Sequence, residues 1–169
     1  MCFSFAEGIY IDPTAIIIGN VKIHEGASIW PYAVIRGDAN SIEIGEGSNI
    51  QEHVMIHVDH IDTAFIGKDV SVGHGAVIHG AHIGNRCIIG MHSTILNGAE
   101  IGDDSIIGAG TVVTSGMKIP PKSIVVGVPG KIIKENQESN REAAETNAKA
   151  YHKFRDEYIA GKHKRYMGP

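Results

Sequence analysis

Three of the ten histidines, His57, His74 and His79, have side chains that could hold a single metal ion. Neutral imidazole is a common ligand of zinc, and a site with three such ligands keeps a position open for water. That arrangement is typical of catalytic rather than closed structural sites. Because the three residues are not adjacent in the sequence, the elements that carry them must bring them together.

A period of six residues runs through most of the chain. Aliphatic residues recur at every sixth position, except for one five-residue step and two longer gaps, and many are followed directly by glycine. A small or slim residue stands four positions after most of them, where a large side chain would not fit. The aliphatic positions are Ile11, Ile17, Ile23, Ile29, Ile35, Ile44, Ile50, Ile56, Ile66, Val72, Ile78, Ile83, Ile89, Ile95, Ile101, Ile107, Val113 and Ile119.

This period predicts a triangular β-helix. Six residues match neither the helical period of 3.6 nor simple strand alternation, but they suit a coil of three short flat faces with turns at the corners. Stacked coils lie about 4.8 Å apart, and the aliphatic side chains of each face point into one continuous core. A β-sandwich of short strands is the alternative, but it would not keep so regular a spacing. We therefore expect an all-β fold.

The period is broken at residues 35–44, which contain three extra residues, and at residues 56–66, which contain four. If the extra residues leave the prism as loops, the aliphatic residues of three successive coils lie on one face. The residues that follow them, Arg36, His57 and His79, are then stacked. The imidazoles of His57 and His79 could share one ion.

His74 stands two positions after Val72 and therefore near a different corner of the prism. It cannot easily reach the same ion within one chain. A neighbouring subunit related by a threefold axis can present its own His74 to the His57 and His79 pair. The sequence thus predicts a homotrimer with metal sites at the subunit interfaces. The alternative is that these histidines face outward by chance on a soluble prism.

The composition changes near Lys131. Residues 1–130 form the predicted repeat domain. Residues 131–169 are rich in Glu, Lys, Asn and Ala, and from about Lys131 to Tyr166 we expect an amphipathic C-terminal α-helix that folds back along the prism. Its apolar stripe consists of Ala144, Ala148, Tyr151, either Phe154 or Arg155, and Tyr158.

The composition also argues against several classes of partner. A net charge of −4 and a pI near 6.2 provide no basic surface for nucleic acid or anionic lipid. No segment approaches the length of a membrane span, and the N-terminus lacks the pattern of a leader peptide. Cys2 and Cys87 are too far apart in the sequence to indicate a disulfide framework or a cysteine-based zinc site. We expect a soluble cytoplasmic protein with no nucleic-acid or membrane partner.

The histidine motif resembles that of a known family. The segments 36–38 (Arg-Gly-Asp), 49–52 (Asn-Ile-Gln-Glu) and 73–80, together with His57, are similar in order and spacing to the γ-class carbonic anhydrases, over about residues 11–131 and a helical tail. The repeat by itself is less specific, because many acyltransferases share it. The resemblance implies a left-handed parallel β-helix of hexapeptide repeats, a homotrimer, and zinc at each interface, with iron(II) or cobalt(II) as alternative metals.

The resemblance also implies roles for other residues. Arg36 and Asp38 match an ion pair that crosses the trimer interface, with a solvated turn as the alternative. Gln51 matches a residue that hydrogen-bonds metal-bound hydroxide, with an exposed amide as the alternative. Tyr151 matches a helix tyrosine that leans over the metal, although its spacing equally suits core packing. Glu52 is the one carboxylate that we expect at the entrance of the site.

The chain departs from the best-characterised members of that family. Ala39 stands where they have a glutamate, and the short loop of residues 58–63 lacks their acidic insertion with its proton-shuttling glutamate. His60 in this loop is a candidate substitute, because imidazole titrates near neutral pH. We favour an uninvolved loop histidine, and we expect slow proton export.

The predicted activity is the reversible hydration of CO2 to bicarbonate by metal-bound hydroxide. One alternative is a hexapeptide-repeat acyl-CoA transferase or thioesterase, which needs one histidine as a base rather than an aligned trio. A second alternative is a non-catalytic assembly subunit that keeps a metal for stability alone.

Overall fold

The computed structural model describes residues 4–166, which wind into a parallel β-solenoid of about seven turns followed by one helix. Most strands have two or three residues, which confirms the predicted coil of short faces. The left hand of the coil stays an implication of the family resemblance. The strands are β1 (Ser4–Phe5), β2 (Tyr10–Ile11), β3 (Ile16–Ile23), β4 (Ser28–Ile29), β5 (Val34–Ile44), β6 (Asn49–Ile50), β7 (Met55–His57), β8 (Ala64–Ile66), β9 (Ser71–Val72), β10 (Val77–His79), β11 (His82–Ile83), β12 (Ile88–Ile89), β13 (Thr94–Ile95), β14 (Glu100–Ile101), β15 (Ile106–Ile107), β16 (Val112–Val113), β17 (Lys118–Ile119), β18 (Ile124–Val126) and β19 (Lys131–Lys134).

Two sheets form the three faces of the prism. The larger sheet has the order β16-β13-β10-β7-β5-β8-β11-β14-β17, with β3 also paired to β5 and β1 paired to β3. Strand β5 joins two faces, because its first half pairs with β7 and its second half pairs with β8. The smaller sheet, in the order β19-β18-β15-β12-β9-β6-β4-β2, forms the third face.

Each coil contributes aliphatic side chains to one continuous core. Ile35 pairs with Ile56, and Ile56 pairs with Ile78, and all three side chains are fully buried. The predicted coil count is therefore confirmed across both interruptions of the period. The small residues that follow the aliphatic ones are also buried, as predicted; they include Ala27, Ala33, Ser48, Ala76, Cys87, Ser93, Ala99, Ser105 and Thr111.

The two interruptions of the period differ in structure. Residues 58–63 leave the prism as a loop, as predicted. The extra residues of the first interruption also bulge from the ladder, as predicted, but they stay within strand β5 and do not form a separate loop, because the pairing with β3 passes from Gly37 directly to Ile42. Strand β3, with eight residues, is long enough to pair on both sides of this bulge. Its edge pairs with Arg36 and Gly37 and then, after a register shift, with Ile42–Ile44.

The C-terminal segment begins with a strand and not with a helix. Lys131–Lys134 forms β19, antiparallel to β18, so the prediction of a helix from about Lys131 is wrong at its start. Ile132 and Ile133 are β-branched residues that favour extended backbone. They cover the edge of β18 at the end of the smaller sheet, where an unpaired strand would expose its backbone groups.

Helix α1 (Ser139–Ile159) folds back along the solenoid, as predicted, but it ends at Ile159 and not near Tyr166. It contacts β2, β4 and β9 of the smaller sheet. Ala144 and Ala148 are buried, and their small size lets the helix approach the sheet closely. The ring of Tyr151 packs edge-on against Trp30, with ring centroids 5.7 Å apart.

Polar contacts fix the helix at one corner of the prism, on two successive coils. Arg155 Nη1 donates to the backbone oxygen of Gly26 at 2.6 Å, and His152 Nε2 lies 2.9 Å from the backbone oxygen of Gly47. Phe154 is exposed. Of the two alternatives for the apolar stripe, Arg155 is therefore the one that faces the solenoid.

Cys87 is a free and fully buried thiol. Burial raises the pKa of this thiol to about 12, which keeps it protonated at neutral pH. Cys2 lies outside the described residues. Within residues 4–166, no helix combines the length and the apolar character that a membrane crossing needs.

Candidate metal centre

His57 and His79 lie side by side on one face of the solenoid. They end β7 and β10, and the pairing of these strands makes them direct neighbours. Nδ1 of His57 lies 3.0 Å from Nε2 of His79. Arg36 is the neighbour of His57 on the preceding coil. The predicted column of Arg36, His57 and His79 is therefore confirmed.

Each imidazole of the pair has a second polar contact on its far side. Asp38 Oδ1 lies 3.2 Å from His57 Nε2, and Asp38 Oδ2 accepts a hydrogen bond from Arg36 Nη1 at 2.5 Å. The hydrogen bond from Arg36, together with that from His57, holds the pKa of Asp38 below its usual value. Asn97 Oδ1 lies 2.8 Å from His79 Nδ1.

Of the residues that contact the histidine pair, Arg36 and Asp38 were predicted and Asn97 was not. Arg36 and Asp38 pair within one chain, and their predicted contact across a trimer interface stays a prediction. Asn97 was not predicted as a site residue, although it follows Ile95 by two positions and so belongs to the next coil on the same face. That spacing was the available signal.

His74 lies on a different sheet from the pair. It follows β9 of the smaller sheet, whereas β7 and β10 belong to the larger one. Its Nδ1 lies 2.6 Å from Glu52 Oε2, so the predicted entrance carboxylate holds the ring of His74. Within residues 4–166 of the single chain, no three His, Cys, Asp or Glu side chains cluster as a metal site.

Gln51 is buried beside His74. Its Oε1 accepts the backbone N–H of His74 at 3.2 Å, and its Nε2 donates to Asn49 Oδ1 at 3.0 Å. Asn49 is oriented in turn, because its Nδ2 donates to Ser71 Oγ at 2.9 Å. Gln51 is only 5% exposed, so the exposed-amide alternative is wrong. Its predicted contact with a metal-bound ligand stays a prediction.

Tyr151 lines a cavity of about 240 Å³ together with Gln51 and His74. Burial, with a smaller contribution from the charge of Glu52, raises the pKa of Tyr151 to about 12. Asn147, one helical turn before Tyr151, also lines this cavity, and its buried Oδ1 has no hydrogen-bond partner among residues 4–166. Asn147 was not predicted as a site residue, although the four-residue spacing from Tyr151 was a usable signal.

The loop of residues 58–63 is short and closes on itself. Asp59 Oδ1 accepts the backbone N–H groups of Ile61 and Asp62, each at 2.8 Å. His60 is exposed at the tip of this loop. Ala39 lies within β5, on the strand that also carries Asp38.

The donor set fits two of the three ligands of a zinc ion. Ligands at about 2.05 Å from a tetrahedral zinc lie about 3.3 Å from one another, which is close to the spacing of the His57 and His79 nitrogens. Imidazole nitrogen also suits iron and other first-row metals. The third ligand, His74, would have to come from another copy of the chain.

Comparison with known proteins identifies the family. The family model described as "Bacterial transferase hexapeptide (six repeats)" matches residues 63–97 and 80–115. The chain is 49% identical over 149 residues, 88% of its length and 94% of the relative, to the "Probable carbonic anhydrase" of Methanocaldococcus jannaschii. It is 40% identical over 91 residues, 50% of its length and 33% of the relative, to the mitochondrial gamma carbonic anhydrase 2 of Arabidopsis thaliana.

A solved structure shares the fold of this chain. A Bacillus cereus protein, provisionally assigned as an acetyltransferase, has a TM-score of 0.90 and 36% sequence identity, with 94% of this chain and 92% of that chain covered. The shared solenoid thus occurs in proteins assigned to different activities. The sequence relatives are more specific, and they show that this chain belongs to the γ-class carbonic anhydrase family of hexapeptide-repeat proteins.

Proposed function

We propose that this protein hydrates CO2 reversibly at a metal ion shared between subunits of a homotrimer. His57 and His79 of one subunit and His74 of the next would bind the ion, which we expect to be zinc, with iron(II) or cobalt(II) as alternatives. The observation that carries the proposal is the pair of imidazole nitrogens 3.0 Å apart on one face, with the third histidine on another face.

The face that carries the pair also presents an apolar surface. Ile16, Val34, Met55 and Val77 are strand neighbours, and we call them the apolar column. In the single chain, Ile16, Met55 and Val77 are 50%, 37% and 36% exposed. Burying this column against a second copy would stabilise a trimer, and that copy could supply the third histidine.

The residues around His74 would orient its imidazole for the metal and would donate hydrogen bonds to the reactants. When bound, the metal acts as a Lewis acid that activates water for attack on CO2. The contact with Glu52 favours the Nδ1–H form of His74 and leaves its Nε2 for the metal. The amide nitrogen of Gln51 has a second hydrogen to donate to a ligand. The phenol of Tyr151 keeps its proton at neutral pH and is a further donor.

Hydration of CO2 releases one proton for each bicarbonate formed. The carboxylate of Glu52 is already engaged by His74, at 2.6 Å. We therefore expect that a buffer molecule takes the proton and that turnover rises with buffer concentration.

The test is anaerobic purification with metal analysis, followed by a CO2 hydration assay. We expect the wild-type protein to contain metal and to hydrate CO2, and we expect His79→Ala to lose both. His82→Ala is a matched control, because His82 is an exposed histidine on another face. If metal-loaded wild-type protein is no faster than His79→Ala, the proposal is wrong.

The similarity to the Bacillus cereus structure favours a second candidate, an acyl-CoA transferase or thioesterase. Such an enzyme needs one histidine as a general base and no metal. Acyl-CoA cleavage that survives chelation, in the same preparations, would support this candidate. Metal content without either activity would instead indicate a non-catalytic assembly subunit.

A further inference from the structure

Asn97 joins the histidine pair to the loop of residues 58–63. Its Oδ1 lies 2.8 Å from His79 Nδ1, and its Nδ2 donates to Asp59 Oδ2 at 2.6 Å and to Asp62 Oδ2 at 3.3 Å. Asp59 is fixed in turn by two backbone N–H groups of its own loop. These contacts form one continuous chain from the loop to the imidazole.

The two carboxylates determine the orientation of the Asn97 amide. Ionised carboxylates only accept hydrogen bonds, so the NH2 group of Asn97 must face Asp59 and Asp62. The amide oxygen then faces His79. Because that oxygen can only accept, His79 Nδ1 must carry the ring proton. Its Nε2 is left with a lone pair directed at His57.

His57 is constrained in the same way from the other side. The carboxylate of Asp38 accepts a hydrogen bond from Nε2–H of His57. The Nδ1 of His57 is then unprotonated, and its lone pair is directed at His79. In these tautomers, both rings are neutral and their unprotonated nitrogens, His57 Nδ1 and His79 Nε2, point at each other from 3.0 Å. A metal ion between them would take both lone pairs.

We propose that Asn97 is a positioning residue of the metal centre. It fixes His79 in the tautomer whose Nε2 binds metal, and it ties the loop of residues 58–63 to that ligand. This inference rests on the metal site proposed above, which it extends to a residue outside the ligand set.

The packing at Gly80 supports the inference. Gly80 lies next to the ligand His79, between the loop and Asn97. A Cβ at Gly80 would lie 2.7 Å from the Cβ of Asp62 and 3.0 Å from Nδ2 of Asn97. Its φ of +55° also favours glycine. The absence of a side chain at this position therefore leaves the space that the network occupies.

The first test is metal affinity. Asn97→Leu keeps the size of the side chain but removes the amide. We expect zinc affinity, measured by competition with a chelator on the full-length protein, to fall by about 10- to 100-fold, the usual effect of removing a hydrogen-bond partner of a metal ligand. Asn85→Leu is the matched control, because Asn85 also donates to a carboxylate, that of Asp103, away from the histidines. We expect its zinc affinity to equal that of wild type.

The second test is the tautomer of His79, which a merely structural role for Asn97 would not affect. The double substitution Asp59→Asn with Asp62→Asn keeps Asn97 but replaces both acceptors by amides, so the NH2 group of Asn97 can rotate toward His79. Nitrogen-15 NMR of the metal-free protein should show the Nδ1–H form in wild type. In the double variant, it should show a shift toward the Nε2–H form.

The outcomes separate this inference from the function it rests on. If wild-type protein binds zinc and Asn97→Leu binds it equally tightly, the inference is wrong and the metal site stands. An Nε2–H form of His79 in wild type would also overturn the inference alone. If wild-type protein binds no metal, the proposed function is wrong and the inference fails with it.

Discussion

Tyr151 combines two roles that one substitution can separate. Its ring packs against Trp30, and the residue also lines the cavity beside Gln51 and His74. Because its pKa is about 12, the phenol is a hydrogen-bond donor at neutral pH. We predict that Tyr151→Phe lowers kcat/KM for CO2 hydration by roughly five- to tenfold, which corresponds to one lost hydrogen bond of about 1 to 1.5 kcal/mol. The melting temperature should not change, because the ring remains.

Tyr158→Phe is the control for this prediction. Tyr158 lies on the same helix and packs against the same Trp30, with ring centroids 5.1 Å apart, but it does not line that cavity. We expect this variant to match wild type in both activity and melting temperature. Unchanged kcat/KM in Tyr151→Phe would assign Tyr151 to packing alone.

The column of Arg36, His57 and His79 and the place of Asn97 on the same face could be predicted from the sequence, whereas the contacts of Asn97 and the contact between Glu52 and His74 could not. Coil counting predicts which outward side chains are stacked on successive coils, because the six-residue period fixes the register between the coils. Contacts among outward side chains depend on rotamers and on the path of the loop at 58–63. The six-residue period contains no information on either.

At the scale of elements, helix α1 positions Tyr151 through small residues that face the solenoid. Ala148 is only 1% exposed. Ala148→Leu adds three carbon atoms to a close contact, and overpacking of this kind costs about 1–3 kcal/mol. We predict a decrease of that size in the free energy of unfolding, measured by urea denaturation. Ala150→Leu, at an exposed position of the same helix, should unfold like wild type. Equal destabilisation of both variants would contradict the packing explanation.

Strands β5 and β19 show which features of the elements the period could not predict. The period identifies inward-facing residues, and these positions are buried from Ile23 onward, whereas Ile11 and Ile17 are partly buried against the core. It does not show how strand edges are used. Residues 38–41 stay within β5 because the residues on either side of this bulge pair with β3, and Lys131–Lys134 is extended because it pairs with the edge of β18. Both outcomes depend on pairing with a neighbouring strand, which the six-residue period does not describe.

At the scale of the whole molecule, the proposed metal and the proposed trimer depend on each other. The single chain brings two histidines together and keeps the third on another sheet. An ion bound by all three would bind only to the assembled form, and so it would stabilise that form by mass action. Anything that separates the subunits should therefore also release the metal.

Val77→Asp tests this dependence, because it places a charge in the apolar column, at a position 36% exposed in the single chain. A buried and unpaired carboxylate is strongly unfavourable, so we predict that this variant is monomeric and contains no metal. Size-exclusion chromatography with light scattering and metal analysis would measure both properties. Phe65→Asp is the control, because Phe65 is 40% exposed on β8, on a different face, and this variant should stay trimeric and keep its metal. A monomeric Val77→Asp that retains metal at the wild-type level would show that one chain completes the site, which would overturn the shared centre.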